Sequence, residues 1–124
     1  MRTFENLHIE ATKSLPLVIF NTSGSLKIEG KAIPDNAITF FEPLLMWIEN
    51  LNVANVVFDI NMEYMNTTAT MQLFGLLRKL EENNSINEIL VTWHYEEDDE
   101  DLYDTGKMFE ERLNRTKFKY LILV

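Results

Sequence analysis

Residues 54–65 (ANVVFDINMEYM), 66–67 (NT) and 68–82 (TATMQLFGLLRKLEE) form the stretch on which the fold turns. In the first part Phe58, Ile60, Met62 and Tyr64 alternate with Asp59, Asn61 and Glu63. That period of two predicts a half-buried strand. In the last part Leu73, Leu76, Leu77 and Leu80 follow the i, i+3, i+4, i+7 spacing of one buried helical stripe. Asn66 or Thr67 is placed to cap that helix, and the free amides and positive dipole end beyond it suit a phosphate. A hydroxyl at such a turn is therefore either a cap and nothing more or a phosphorylation switch, where roughly two negative charges change what docks.

Working outward, Leu7 and Ile9 alternate with His8 and Glu10 as a short strand, and Leu15–Phe20 is a second. Asn21–Gly24 has turn chemistry, and Ser25–Glu29 alternates to close a hairpin that Gly30 is expected to end. Pro34-Asp35-Asn36 opens a first helix, with Asp35 or Asn36 as cap and Phe40, Phe41, Leu44, Leu45, Trp47, Ile48 and Leu51 as its apolar face. Pro43 lies about two turns in and predicts a bend. Ile89, Val91, Trp93 and Tyr95 mark the next strand. The run Glu96–Asp101 is too charged to bury and reads as a loop plus the first turn of a third helix, striped by Leu102, Met108, Phe109 and Leu113. Phe118, Tyr120, Ile122 and Val124 make a terminal strand. Strands separated by helices favour parallel pairing through right-handed crossovers. The expected fold is α/β (α+β), a mixed sheet with three helices packed mainly on one face and the other largely open to water.

Composition narrows the function. A chain of 124 residues is expected to be one domain, 1–124. Its formal charge of −9 and pI of about 4.6 argue against nucleic acid or an anionic membrane as partner. Cysteine is absent, which removes disulfide and thiolate chemistry. The segment Met1–Asn6 lacks the apolar core of a signal peptide and no apolar run nears 18 residues, so a cytoplasmic location is expected.

Tyr64-Met65-Asn66-Thr67-Thr68-Ala69-Thr70 resembles the aromatic-hydrophobic-Asn-Thr-Ser-Ser stretch of the SiaC family of bacterial regulatory phosphoproteins, related in fold to the STAS anti-anti-sigma factors. The likeness continues in order through Ile9-Glu10-Ala11-Thr12 with Pro16, Leu26–Gly30, Pro34-Asp35-Asn36-Ala37, Phe40–Glu49 and Trp93–Asp101. The resemblance implies a STAS-like fold and a non-enzymatic switch with Thr67 as phosphoacceptor. It implies three partners: a Ser/Thr protein kinase of the anti-sigma-like type, a metal-dependent Ser/Thr phosphatase, and an effector such as a diguanylate cyclase in biofilm and cyclic-di-GMP signalling. The chain departs from the family in carrying Thr68 and Thr70 where Ser or Lys is usual, so these are further candidate acceptors. Glu63, Tyr64, Met65, Asn66, Thr68 and Met71 are the residues expected to meet a partner. A rival reading is a constitutive interaction module of the same fold, docking through the acidic 96–101 segment without phosphorylation.

Other patterns weigh less. His8 and His94 share a polar face with Glu10 and Glu88 but lack the close-spaced ligand pair of a zinc site. Asp98, Asp99 and Asp101 lack the glycine and the twelfth-position Glu of an EF-hand. Asp59 and Glu63, four apart on a strand, stand about 13 Å apart, too far for paired acid–base work. No Gly-rich phosphate loop or Ser/His/Asp order occurs, so no enzyme, metal or cofactor is expected. Trp47 and Trp93 are assigned to the core. Met62, Met65 and Met71 cluster around Thr67, either filling core gaps or forming an adaptable binding surface.

Overall fold

A computed structural model describes residues 4–124; Met1–Thr3 of the N-terminal segment lie outside them. The elements run β1 (Leu7–Ile9), β2 (Leu17–Phe20), β3 (Ser25–Ala32), α1 (Ala37–Glu49), β4 (Asn55–Met65), α2 (Thr67–Glu82), β5 (Glu88–Glu96), α3 (Glu100–Arg112) and β6 (Thr116–Leu123). All six strands join one sheet in the order β1-β2-β3-β4-β5-β6. The first two pairings are antiparallel and the remaining three parallel, so each helix is a crossover between neighbouring parallel strands.

That order decides where the helices lie. All three crossovers step along the sheet in the same direction, and right-handed connections then place every helix on the same face. Burial alternates accordingly. Val56, Phe58, Ile60 and Met62 of β4, and Ile89, Val91 and Trp93 of β5, are buried under the helices. The opposite face carries Lys27, Val57, Asp59, Leu90, His94, Lys119 and Leu121, none of them buried and no helix covering them. The mixed sheet with helices on one face is thus as the residue pattern predicts.

Each helix buries the stripe its spacing dictates. Ala69, Leu73, Leu76, Leu77 and Leu80 of α2 have no exposed surface beneath that helix, nor have Phe41, Leu44 and Ile48 of α1, and Trp47 is buried beside them. Burying one such large side chain contributes about 1.5–3 kcal/mol. The α1 and α2 helices pack against each other, whereas α3 rests chiefly on β5 and β6. Trp47 and Trp93 both lie in the core; their indole N–H groups donate to Glu5 O (2.8 Å) and Leu102 O (3.1 Å).

Pro43 lies inside α1, which runs from Ala37 to Glu49 without a break. It faces solvent, as does Thr39 four residues earlier, whose carbonyl loses its helical donor and is left to water. Gly30 does not end β3. It adopts φ +119° where the β3–β4 register slips, pairing with Met62 while Lys31 pairs with Tyr64. Glu63 is the extra residue of that bulge. The slip breaks the alternation, so Tyr64, expected on the buried side, is 59% exposed. Met108 is not part of the buried stripe of α3; it is 38% exposed, and the inward positions are Gly106 and Phe109.

The two histidines do not form a joint site. His8 pairs with Glu10 Oε1 at 3.0 Å, and His94 pairs with Asp59 Oδ1 at 2.6 Å. With β1 and β5 four strand spacings apart, about 19 Å separates them. Two non-local clamps tie the helical layer to the strands. The Glu81 carboxylate accepts from the amides of Asn114, Arg115 and Thr116 and from the Thr116 hydroxyl. The Arg115 guanidinium donates to carbonyls of Leu80, Glu81, Asn83, Ile86 and Asn87, satisfying the acceptors at the end of α2.

Candidate functional site

The turn after β4 is held from both sides. The Asn66 amide donates to Ala32 O (3.0 Å) at the end of β3, and the Asn66 side-chain oxygen accepts from the Ala69 amide at 2.9 Å. Asn66 is therefore the cap, and Thr67 is the first residue of α2. Freed from capping, the Thr67 side chain is exposed and its hydroxyl has no hydrogen-bond partner among the described residues. Thr68 is likewise exposed and unbonded. Thr70 differs. Its hydroxyl donates to Asn66 O at 3.0 Å, the same carbonyl that accepts the Thr70 amide at 2.9 Å, and its side chain is half-buried.

The amides of Thr67 and Thr68 find no acceptor among the described residues, so the first turn of α2 presents free donors beside the free hydroxyl. A phosphoryl group on that hydroxyl would sit at the positive end of the helix dipole.

The residues expected at a partner surface divide. Glu63 and Tyr64 stand out of the bulge into solvent, and Met71, one turn into α2, is 67% exposed. Met65 and Asn66 are half-buried. Met62 parts from the other two methionines, because it lies in the core at 2% exposure.

Parallel neighbours β4 and β5 end on the same edge of the sheet, so the turn at Thr67 comes beside the acidic segment 96–101. Asp99 of that segment caps α3 through its side-chain oxygen, which accepts from the Leu102 amide at 3.0 Å. Between the two junctions lies a groove of about 260 Å³ lined by Glu63, Tyr64, Met65, Thr70, Asp99, Asp101, Leu102 and Thr105. Three carboxylates and no lysine or arginine line it.

Thr70 also borders a smaller apolar groove between α2 and α3, about 120 Å³, formed by Met71, Phe74, Met108, Phe109 and Arg112. Phe74 and Arg112 carry no weight in the sequence reading of this site. The signal for Phe74 is a second stripe on α2, Thr67, Thr70, Met71, Phe74 and Arg78, offset from the leucines by about a third of a turn, whereas Arg112 belongs to α3. Among the described residues no group of three or more His, Cys, Asp or Glu could hold a metal ion. No helix among them is long and apolar enough to cross a membrane.

A model of the SiaC family of regulatory phosphoproteins matches residues 9–123. No curated protein sequence matches the chain. Among solved structures, SiaC of Pseudomonas aeruginosa is similar at a TM-score of 0.79 and 21% identity, over 94% of this chain and 99% of that one. Apo-SiaC from Pseudomonas aeruginosa gives a TM-score of 0.74 at 23% identity, over 94% and 98%. A complex of the diguanylate cyclase SiaD with its activator SiaC from Pseudomonas aeruginosa gives 0.79 at 22%, over 93% and 99%. At these identities the likeness bears on the fold.

Proposed function

The chain belongs to the SiaC family of regulatory phosphoproteins, and from that premise we propose that it is a non-enzymatic switch modified at Thr67. A Ser/Thr protein kinase of the anti-sigma-like type adds the phosphoryl group and a metal-dependent phosphatase removes it. One state binds an effector such as a diguanylate cyclase, and these partners place the protein in the cytoplasm. The observation that carries the reading is the free, exposed hydroxyl at the first position of α2, set beside a Thr70 hydroxyl already bonded to the backbone. An effector is supported by the Pseudomonas aeruginosa SiaC, which is found in complex with the cyclase it activates.

The mechanism is electrostatic. A dianionic group in the first turn of α2, whose Thr70 lines the groove with Glu63, Asp99 and Asp101, repels an acidic partner surface and desolvates poorly against an apolar one. Phosphorylation therefore acts mainly by blocking docking at this edge. Incubation with the cognate kinase and ATP, followed by site mapping, tests the assignment. Label on Thr67, lost in Thr67→Ala, is expected; label retained on Thr68 or Thr70 in that variant overturns it.

A second reading keeps the fold and dispenses with modification, docking a basic partner through residues 96–101. It draws on the exposure of Glu96, Glu97, Asp98, Glu100 and Asp101 in one continuous patch. Unchanged affinity of every partner for Thr67→Glu would favour it over the switch.

A further inference from the structure

We propose that the outer edge of β6 pairs with β6 of a second copy of this chain, antiparallel across a two-fold axis at Leu121, joining the two sheets into one. The contact does not depend on the switch at Thr67. The strand order leaves β1 and β6 as the two sheet edges. An unpaired edge offers a row of free N–H and C=O groups to another strand, unless shortness, charge, proline or a bulge protects it. β1 is protected by its length of three residues. β6 has eight residues, no proline and an unbroken register against β5. Its charges, Lys117 and Lys119, lie in its first half, while Leu121, Ile122 and Leu123 in the second half are all exposed.

The edge is complementary to itself. Lys117 and Lys119 stand on the open sheet face, in register with Leu90 and Thr92, and among the described residues neither has an ion-pair partner. At the far end of the strand Leu123 is in register with Glu96. There Glu96, Glu97, Asp98, Leu123 and Val124 line a depression of about 560 Å³, with no lysine or arginine among them. Lys119 and Leu123 are four residues apart on one strand, so about 13 Å keeps this lysine from the depression of its own chain. A two-fold axis brings the basic end of one strand to the acidic end of its copy, and does so twice.

Like charges fix the register. With the axis at Leu121, Lys119 lies opposite Leu123 of the second copy. Glu96 of that copy is one strand further, about 10 Å from Lys119, a gap that two long side chains leaning together close. Leu121 meets its own copy on the open face, and Tyr120 meets Ile122 on the other, an aromatic and β-branched pair. An axis at Lys119 or Tyr120 instead sets the two Lys119 side chains opposite or diagonal, and one at Ile122 shortens the ladder. Residues 118–124 form about six hydrogen bonds across the chosen axis. Thr67 follows β4, two strands in from this edge, and stays uncovered.

Sedimentation equilibrium of the full chain tests this, with a monomer–dimer equilibrium of micromolar Kd expected. Lys119→Glu turns a carboxylate toward Glu96 of the second copy, and Glu96→Lys turns an ammonium toward Lys119. Each variant alone should associate at least about tenfold more weakly than the parent. Mixed one to one, the two variants face opposite charges at both ends of the contact and should regain the parental affinity. A nitroxide on Leu121→Cys, in a chain with no other cysteine, should broaden by spin–spin coupling across the axis. The same label on Val57→Cys, far from the axis on the open face, should not. A chain that stays monomeric up to millimolar concentration overturns the proposal. So does a dimer indifferent to both charge reversals, a mixture that associates no better than its components, or an unbroadened label at position 121.

Discussion

Two glycines lie inside helices, and alanine at each should have opposite effects. At Gly75 in α2 a methyl group meets nothing closer than Leu45 Cδ2 at 4.0 Å. At Gly106 in α3 it would lie 2.8 Å from Trp93 Nε1, 2.9 Å from Cε2 and 3.0 Å from Cδ1. Helix propensity alone favours alanine by about 1 kcal/mol at both positions. Nothing opposes that gain at Gly75, so Gly75→Ala should stabilise by about 0.5–1 kcal/mol.

At Gly106 the indole cannot retreat. Trp93 has no exposed surface, its N–H is bonded to Leu102 O, and its edge meets the Phe109 ring at a centroid distance of 5.5 Å. Overpacking costs about 1–3 kcal/mol, and tilting the indole forfeits a hydrogen bond worth about 1 kcal/mol more. These terms together exceed the propensity gain, leaving Gly106→Ala net destabilised by about 1–3 kcal/mol. Urea unfolding followed by far-UV circular dichroism measures both variants, and near-UV circular dichroism reports the tryptophan environment. Because α3 rests on Trp93 at this glycine, lifting it also alters the apolar groove between α2 and α3 at Met108 and Phe109. A Gly106→Ala protein as stable as Gly75→Ala, with an unchanged near-UV spectrum, would refute the close contact.

Asn66→Ala removes the cap of α2 and should cost about 1 kcal/mol by thermal unfolding, while raising amide exchange at Ala69; wild-type exchange there would mean the cap is not formed. Burial pushes the Glu81 carboxyl up, but hydrogen bonds from Asn114, Arg115 and Thr116 outweigh it and hold the group below its ordinary value of 4.5. A lowered folded value means the contribution is present above the unfolded pKa and is lost as pH falls through the folded one. Glu81→Gln should therefore be less stable than the parent at pH 7, with the gap closing below about pH 4.5; a gap that widens on acidification contradicts the assignment. Gly24 adopts φ +98° with Asn55 O against the position a Cβ would take, so Gly24→Ala should cost about 2 kcal/mol or more, and a parental midpoint in urea would exclude that strain.

Local pattern made most of the fold legible. The alternation in residues 55–62, the leucine stripe of α2 and the carboxylates opening α3 are each set by neighbours within one or two turns. The bulge at Glu63 was not legible, since the residues around it continue the alternation and only the pairing with β3 breaks it. Arg112 and Arg115 look equivalent as cations near a helix end. Tertiary contacts separate them, binding Arg115 to five carbonyls and leaving Arg112 without a partner among the described residues. The stripe through Met71, Phe74 and Arg78 was masked by the stronger leucine stripe beside it. Threonine spacing could not rank the three candidate acceptors either. Thr70 is set apart by its reach to the carbonyl four residues back, an interaction any helical threonine can make and one that shows only in the coordinates.

The placement of Thr67 bears on how a phosphoryl group there would be read. Free amides and the dipole of α2 attract it, while the acidic groove across the β4–α2 junction repels it. At the spacing of neighbouring helices, about 10 Å, two unit charges interact by about 1.7 kcal/mol at an effective dielectric of about 20. Facing carboxylates at that range offset the attraction of the helix end, typically worth about 0.3–1 kcal/mol at an exposed site. With no arginine or lysine lining the groove, nothing there would fold the modified side chain back onto the protein. The added charge would project outward and be felt by whatever approaches this edge. Such a switch needs no rearrangement of the fold, and its strength must fall with salt, because exposed charges beyond about 8 Å are largely screened at physiological ionic strength. Titrating salt against the affinity of Thr67→Glu and the parent for the effector therefore separates the two modes. A difference that shrinks steadily with salt belongs to projected charge, whereas one that persists at high salt belongs to desolvation of the added group against an apolar surface or to a conformational change.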